Sequence, residues 1–134
     1  MARISLKTLP DPYAVEVTAR NHTWIVDEPV ETGGGDQGPG TFEELLSSIG
    51  TCGAITMCMY ARRKEWPLEG VEIELEYERL KTSGSGRVSE IRSRIRLKGD
   101  LSEEQRSRLV EISQRCPVKR AVEGEVRFQA ELAD

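Results

Sequence analysis

The side chains most able to do chemistry in this chain are its three cysteines, Cys52, Cys58 and Cys116, and its single histidine, His22. Thiols serve as nucleophiles, redox pairs or metal ligands, and each use requires the thiolate. Spacing separates these uses. No Cys-x-x-Cys or His-x-x-x-His pattern is present, so a zinc site from Cys52, Cys58, Cys116 and His22 has no support in the sequence. Cys58 follows Cys52 by six positions. That is about 240° round a helix, so the two cannot share one small site, and Cys58 is expected to be core. Cys116 precedes Pro117, which favours extended backbone before it and suits the first position of a helix. It is therefore an N-cap candidate, where orphan N–H groups and the nearby Lys119 and Arg120 would stabilise a thiolate. The bland alternative is a helix-terminating cysteine without reactivity. Cys52 lies on the row Leu45, Ile49, Cys52, Thr56, about three turns inside a helix and too deep for the macrodipole to acidify it. Alone, it reads more readily as packing than as catalysis. His22, at the start of a strand beside Trp24, reads as structural.

Several elements must position these groups. Tyr13, Val15, Val17 and Ala19 alternate with polar neighbours, and a second run spans His22 to Asp27, with Asn21 as the turn between them. Residues Glu31 to Gly40 (ETGGGDQGPG) are expected to form a mobile loop, a lid or entrance to a pocket. No Lys-Ser/Thr pair follows them, so phosphate binding is not indicated. Thr41-Phe42-Glu43-Glu44 reads as a capping box with Thr41 at the N-cap, opening a helix to about Lys64 that Pro67 closes. Leu45, Leu46, Ile49, Cys52, Ala54, Ile55, Met57, Met59 and Tyr60 cover most of its circumference, the pattern of a helix buried on all sides. The small residues Ser47, Gly50, Thr51, Gly53 and Ala54 would admit another backbone, and a homodimer with this helix at its centre is expected.

Val71, Ile73, Leu75 and Tyr77 alternate with Glu72, Glu74, Glu76 and Glu78; Ile91, Ile95 and Leu97 alternate with Arg92, Arg94, Arg96 and Lys98. Folded about a Ser83–Gly86 turn, these runs predict an antiparallel hairpin pairing Glu78 with Arg92, Glu76 with Arg94, Glu74 with Arg96 and Glu72 with Lys98. The arginines thus have a structural explanation. Ser102-Glu103-Glu104-Gln105 is a second capping box, starting a helix to about Arg115 with Leu109 and Ile112 inward. A short helical turn follows from Pro117, and Val126, Phe128, Ala130 and Leu132 read as a last strand. The sum is a single α+β domain over residues 1–134.

Composition excludes other classes. At 134 residues, with 37% hydrophobic residues and a net charge of −4, the chain can bury a core and offers no basic stripe. Nucleic acid and membrane partners are not expected, nor is a secreted disulfide framework. The stretch Leu45 to Tyr60 is too short and too interrupted to span a bilayer, and Met1 to Pro12 carries no signal-peptide core, so a cytoplasmic location is expected.

The motifs Asp27-Glu28-Pro29, Gly33-Gly34-Gly35-Asp36, Gly38-Pro39, Phe42 to Leu46, Ile49-Gly50-Thr51-Cys52, Met59 to Lys64 and Arg115-Cys116-Pro117-Val118 together resemble the OsmC/Ohr family. More narrowly, they resemble its OsmC-like subgroup of predicted redox proteins. The resemblance runs from about His22 to the end, and the pairing of a helix cysteine with a distant Cys-Pro-Val is its specific part. It implies an OsmC-like fold, an antiparallel sheet with a long buried central helix, as an intertwined homodimer. It also implies a thiol-dependent peroxidase, without cofactor, that reduces organic hydroperoxides. In that chemistry Cys52 attacks the O–O bond and becomes a sulfenic acid. Cys116 then resolves it into a disulfide, and an external dithiol, of lipoyl type or a thioredoxin, resets the pair.

The family's thiolate-stabilising Arg comes from an early loop and is assigned to Arg20, with Arg3 as the other candidate. Such an Arg would reconcile the attacking role of Cys52 with a residue-level reading that favours Cys116 as the thiolate. The family carboxylate stands ten residues before the reactive cysteine, where this chain has Phe42; Glu43 is assigned in its place, with Glu44 adjacent. The alternative reading is a non-catalytic small-ligand-binding or redox-sensing module in which Phe42 marks lost peroxidase chemistry. Mutual reach of Cys52 and Cys116 discriminates between the two.

Overall fold

The computed structural model describes residues 1–81, 84 and 86–133. In chain order it contains β1 (Ser5–Thr8), β2 (Val15–Ala19), β3 (His22–Val26), a short 3-10 turn (Val30–Thr32), α1 (Thr41–Lys64), β4 (Gly70–Leu80), β5 (Val88–Lys98), α2 (Glu103–Ser113) and α3 (Pro117–Glu123). This is the α+β class expected from the sequence. The chain divides into two compact units, Met1–Ser47 and Ser48–Asp134.

The first unit is a three-stranded antiparallel sheet in the order β1-β2-β3. Ala19 pairs with His22, so Arg20 and Asn21 form the turn, with Arg20 in the left-handed region at φ 55°. β1 is not apparent from the sequence, because all four of its residues are exposed and no alternation marks it. Its pairing with β2, from Ser5 opposite Thr18 to Thr8 opposite Val15, makes it a strand.

The glycine-rich stretch is not the free loop expected of it. Asp27 at the end of β3 is 2% exposed. Its carboxylate accepts hydrogen bonds from the backbone N–H groups of Glu28 (2.7 Å), Gly35 (3.2 Å) and Gln37 (3.1 Å). Its own N–H donates to the Pro39 carbonyl at 3.0 Å, and the Asp36 N–H donates to that of Glu28 at 3.1 Å. The glycines serve close approach: a Cβ at Gly38 would stand 1.9 Å from the Ile25 carbonyl oxygen, and one at Gly34 2.0 Å from that of Glu28.

The start of α1 also differs from expectation. Gly40, not Thr41, is the capping residue: its carbonyl accepts the Glu44 N–H at 3.0 Å, and its N–H donates to Glu43 Oε1 at 2.8 Å. Glu43 therefore supplies the reach-back half of a capping box one residue earlier than the sequence suggested.

In the second unit β4 and β5 pair antiparallel with Glu72 opposite Arg96, Glu74 opposite Arg94 and Glu76 opposite Arg92. The register is shifted by two residues from the predicted one. Three of the pairs expected to face each other nevertheless form, now diagonally across the ladder, with Lys98–Glu72 at 2.6 Å, Arg96–Glu74 at 3.5 Å and Arg92–Glu78 at 3.2 Å; Glu76 pairs with Arg92 at 3.5 Å instead of Arg94. These are exposed pairs and contribute little to stability. The predicted Ser83–Gly86 turn includes positions 83 and 85, which lie outside the described residues.

The core of this unit gathers Met57 and Ala61 of α1 with Leu101 and Leu109, against Val71, Ile73, Ile95 and Leu97 of the hairpin. α1 buries only the face carrying Gly50, Gly53, Met57 and Ala61. Ile55 and Met59 are 58% and 66% exposed, so the helix is not buried all round by its own chain. Cys58 is exposed on that open face rather than packed in the core.

The second capping box is as predicted: Ser102 Oγ accepts the Gln105 N–H at 3.1 Å, and Gln105 Oε1 accepts the Ser102 N–H at 2.9 Å. α2 ends at Ser113, two residues earlier than predicted. The predicted final strand does not form; residues 125–133 are irregular, with Phe128 92% and Leu132 88% exposed. Alternation alone cannot make a strand without an edge to bond it, and among the described residues none does so.

Removing the Asp27 carboxylate as Asp27→Ala leaves three backbone donors without their acceptor. The expected cost is about 2 kcal/mol, at the level of a buried polar group losing its partner, read as a lower urea midpoint with new proteolytic cleavage in residues 28–40. An unchanged midpoint and digestion pattern would contradict this account.

Candidate active site

The site is built where α2 ends. After Ser113 the chain turns through Gln114 and Arg115, and Pro117 then starts α3 with a φ that suits its first position. Cys116 is left extended at φ −67° and ψ 146°, and its sulfur accepts the Lys119 N–H at 3.3 Å. It is the N-cap that the sequence predicted.

The expected consequence, a thiolate at neutral pH, does not follow. Cys116 is 1% exposed, and burial pushes its thiol above the ordinary range. The Lys119 N–H opposes that rise, while the hydrogen bond and charge interaction with the Cys52 thiol add to it. Desolvation outweighs the cap, to which the Val118 N–H adds a smaller lowering than that of Lys119. The Lys119 ammonium does not reverse the balance, since it is held by Gln114 Oε1 at 2.7 Å and by Glu123 at 3.2 Å.

Cys52 stands half-buried on α1, which approaches the end of α2 at a residue without a side chain. A Cβ on Gly53 would lie 3.6 Å from the Ser113 carbonyl oxygen. That contact brings the chain three residues past Ser113 near Cys52, whose thiol helps to raise that of Cys116. Cys52 and Cys116 both lie in the second unit of the chain.

A cleft of about 300 Å³ opens beside it. Its wall is formed by Ile49, Gly50 and Gly53 of α1, Ile73 and Leu75 of β4, and Ile91 and Ile95 of β5. Ser113, Gln114, Lys119 and Glu123 stand on its polar side, and Cys116 is part of the wall. The sequence reading missed the cleft. Ile73, Leu75, Ile91 and Ile95 were legible as inward residues of a hairpin, but the space left between them and α1 depends on packing. A Ser113–Gln114–Lys119 hydrogen-bonded run was equally unreadable, because Ser113 and Gln114 belong to the expected end of α2 and Lys119 to the next helical turn.

The other assigned residues lie in the first unit. Arg20 is exposed in the β2–β3 turn, and Glu43 is exposed on the first turn of α1, where its carboxylate is bonded to the Gly40 N–H. Phe42 beside it is 52% exposed. Among the described residues no three His, Cys, Asp or Glu side chains converge for a metal, and no helix is long and apolar enough to cross a membrane.

A sequence model of the family described as OsmC-like protein matches residues 33–131. The chain belongs to the OsmC-like family. No curated protein sequence matches it. Among solved structures, an OsmC-like protein from Mycoplasma pneumoniae shares the fold with a TM-score of 0.77 and 19% identity, over 92% of this chain and 88% of that one. An organic hydroperoxide resistance protein OsmC from Legionella pneumophila, also described as a predicted redox protein and regulator of sulfide bond formation, gives 0.68 and 18%, over 92% and 90%. An organic hydroperoxide resistance protein from Elizabethkingia anophelis with thiocyanate bound gives 0.67 and 16%, over 92% and 89%. The antiparallel strands and the long helix carrying Cys52 in this OsmC-like protein are therefore those of a known fold.

The raised Cys116 thiol predicts a slow alkylation. In the reduced protein at pH 7.5, iodoacetamide should modify Cys116 far more slowly than it does in the urea-unfolded chain, and modification in the folded protein should accelerate only as pH rises past the usual thiol range, about 8.5. Peptide mapping by mass spectrometry reads the site. Cys116 reacting as fast in the folded protein at neutral pH would restore the stabilised-thiolate reading.

Proposed function

We propose that this OsmC-like protein is a thiol-dependent peroxidase that reduces organic hydroperoxides with Cys52 and Cys116. The observation that carries the proposal is that the Cys52 thiol lies near enough to act on the thiol of Cys116, which itself forms part of the wall of an apolar cleft. Similarity to proteins named for organic hydroperoxide resistance supports the substrate class. The family match across residues 33–131 supports treating residues 1–134 as one OsmC-like domain.

In the proposed cycle the Cys52 thiolate attacks the distal peroxide oxygen, the O–O bond breaks, and the alcohol leaves after taking a proton. Cys52 is then a sulfenic acid. Cys116 attacks the Cys52 sulfur and water departs, leaving a Cys52–Cys116 disulfide. A dithiol, of lipoyl type or a thioredoxin, returns both thiols with two electrons and two protons. The elevated Cys116 thiol suits the resolving role, since it stays protonated and unreactive until its neighbour is oxidised. Arg20 is proposed to stabilise the Cys52 thiolate and Glu43 to orient that arginine.

A homodimer, located in the cytoplasm, completes the reading. The open face of α1 with Ile55, Cys58 and Met59, and the exposed Phe128 and Leu132, are apolar surface that a second copy would cover. Sedimentation at micromolar concentration should show a dimer that Met59→Glu dissociates. A monodisperse wild-type monomer would refute it.

The peroxidase reading is tested by consumption of cumene hydroperoxide in dithiothreitol. Cys52→Ser should lose activity by at least about 10³-fold, the scale of removing a catalytic nucleophile. Cys116→Ser should consume one equivalent and then stall, and hydrogen peroxide should be the poorer oxidant of the wild type. Absence of turnover in the fully reduced wild type would overturn the proposal in favour of a ligand-binding or redox-sensing role.

A further inference from the structure

The two sulfurs of a disulfide are not equivalent to an incoming thiol. Exchange proceeds in line with the S–S bond, so the nucleophile must approach one sulfur from the side opposite the other, and the rate rises when the departing thiol is the better leaving group. The first condition distinguishes Cys116 from Cys52 in this chain. The ≈300 Å³ cleft has Cys116 in its wall, and Cys52 is not among the residues that line it. Cys116 is itself 1% exposed, so a thiol reaches it by entering the cleft and not from the surface at large. Burial also pushes the Cys116 thiol upward, which makes it a reluctant leaving group.

We infer that the cleft is the entry site of the resetting reductant, a thiol on a slim apolar arm, and that this thiol attacks the Cys116 sulfur and displaces Cys52. The inference rests on the peroxidase reading for the oxidant that forms the disulfide in the cell. Its own chemistry concerns only the disulfide and a dithiol. The incoming thiolate bonds to the Cys116 sulfur while the Cys52–Cys116 bond breaks, its electron pair leaving on Cys52, which takes a proton. The second thiol of the reductant then attacks the mixed disulfide, releases Cys116 as a thiol and departs as the oxidised disulfide. Ile73, Leu75, Ile91 and Ile95 offer the apolar surface for the arm, while Ser89 and Ser93 stand on β5 at exposed positions of the same wall. A chain of peroxide-derived steps is thereby given two sides, with the oxidant meeting Cys52 and the reductant meeting Cys116.

The test avoids peroxide altogether. The disulfide is formed with diamide, the oxidised protein is mixed with excess 2-mercaptoethanol, and the reaction is quenched within seconds by acid and N-ethylmaleimide before peptide mapping. The expected product carries the mercaptoethanol adduct on Cys116 and N-ethylmaleimide on Cys52. An adduct on Cys52 with alkylated Cys116 overturns the inference, as does failure of diamide to join the two residues. Ser93→Trp, narrowing the cleft from an exposed strand position, should slow reduction at least tenfold relative to wild type, whereas Glu103→Trp on the first turn of α2 should not. Equal slowing by both, or by neither, also counts against the cleft as the route. An adduct on Cys116 in a protein that fails to consume cumene hydroperoxide would leave this inference standing and remove only the peroxidase reading.

Discussion

At Gly50 and Gly53 the backbone of α1 is bare, and the elements that complete the second unit come up against it. A Cβ at Gly50 would stand 2.6 Å from Leu75 Cδ1, and one at Gly53 would touch Ser113 at 3.6 Å. Two glycines inside a helix cost about 1 kcal/mol each relative to alanine, so the helix is weakened where it is approached most closely. What offsets that cost is the packing of Leu75 of β4 and of the α2 terminus directly on the helix. Everything chemical depends on it. Cys116 is tied to Ser113 by three residues of chain, and any increase in the separation of α2 from α1 would carry its sulfur away from Cys52.

The same constraint explains why one face of α1 is filled and the other is not. Met57 and Ala61 continue the Gly50–Gly53 row into the core, and Leu109 and Leu101 meet them there. The opposite row, with Ile55 and Met59, meets solvent. An apolar helix surface of that kind next to a glycine-built contact divides the helix between two tasks, with one face organising the chain and the other left for a second copy in the proposed dimer.

Much of this architecture is legible in the sequence, and for identifiable reasons. α1, the β4–β5 hairpin, the Ser102 capping box and the Cys116 N-cap are all governed by local rules, periodicity and capping chemistry, and each is found within a residue or two of its expected place. Elements set by partners distant in sequence are not. β1 has no burial pattern and exists because β2 offers it an edge. Residues 125–132 have a strand's pattern and no edge to use. The glycine-rich stretch looked free because composition reports backbone entropy but not the Asp27 carboxylate that gathers its N–H groups. The hairpin register slipped by two residues for the same reason, since opposite charges on both strands satisfy each other diagonally as readily as directly. Cys52 and Cys116 were legible as a pair only through their resemblance to a family motif, whereas the cleft beside them is a property of packing and has no linear signature.

The electrostatics of Cys116 show how a correct local structure can lead to the wrong chemistry. Its N-cap geometry was read correctly, and an N-cap in water would favour a thiolate. The cap contributes the Lys119 N–H at 3.3 Å, a weak sulfur contact, and a lesser pull from the Val118 N–H, while the sulfur has lost nearly all contact with solvent. Desolvation of a charge is the larger effect in a site this closed, and the neighbouring thiol of Cys52 adds to it. The cap bond therefore orients the sulfur without ionising it. In a two-thiol cycle this separation is useful: a resolving cysteine that stayed ionised would compete for the peroxide, whereas one held neutral and aimed at its partner reacts only after that partner becomes an electrophile. The burial that raises the Cys116 thiol in the reduced state would also make it a reluctant leaving group in a disulfide, so one physical property bears on both steps of the proposed cycle.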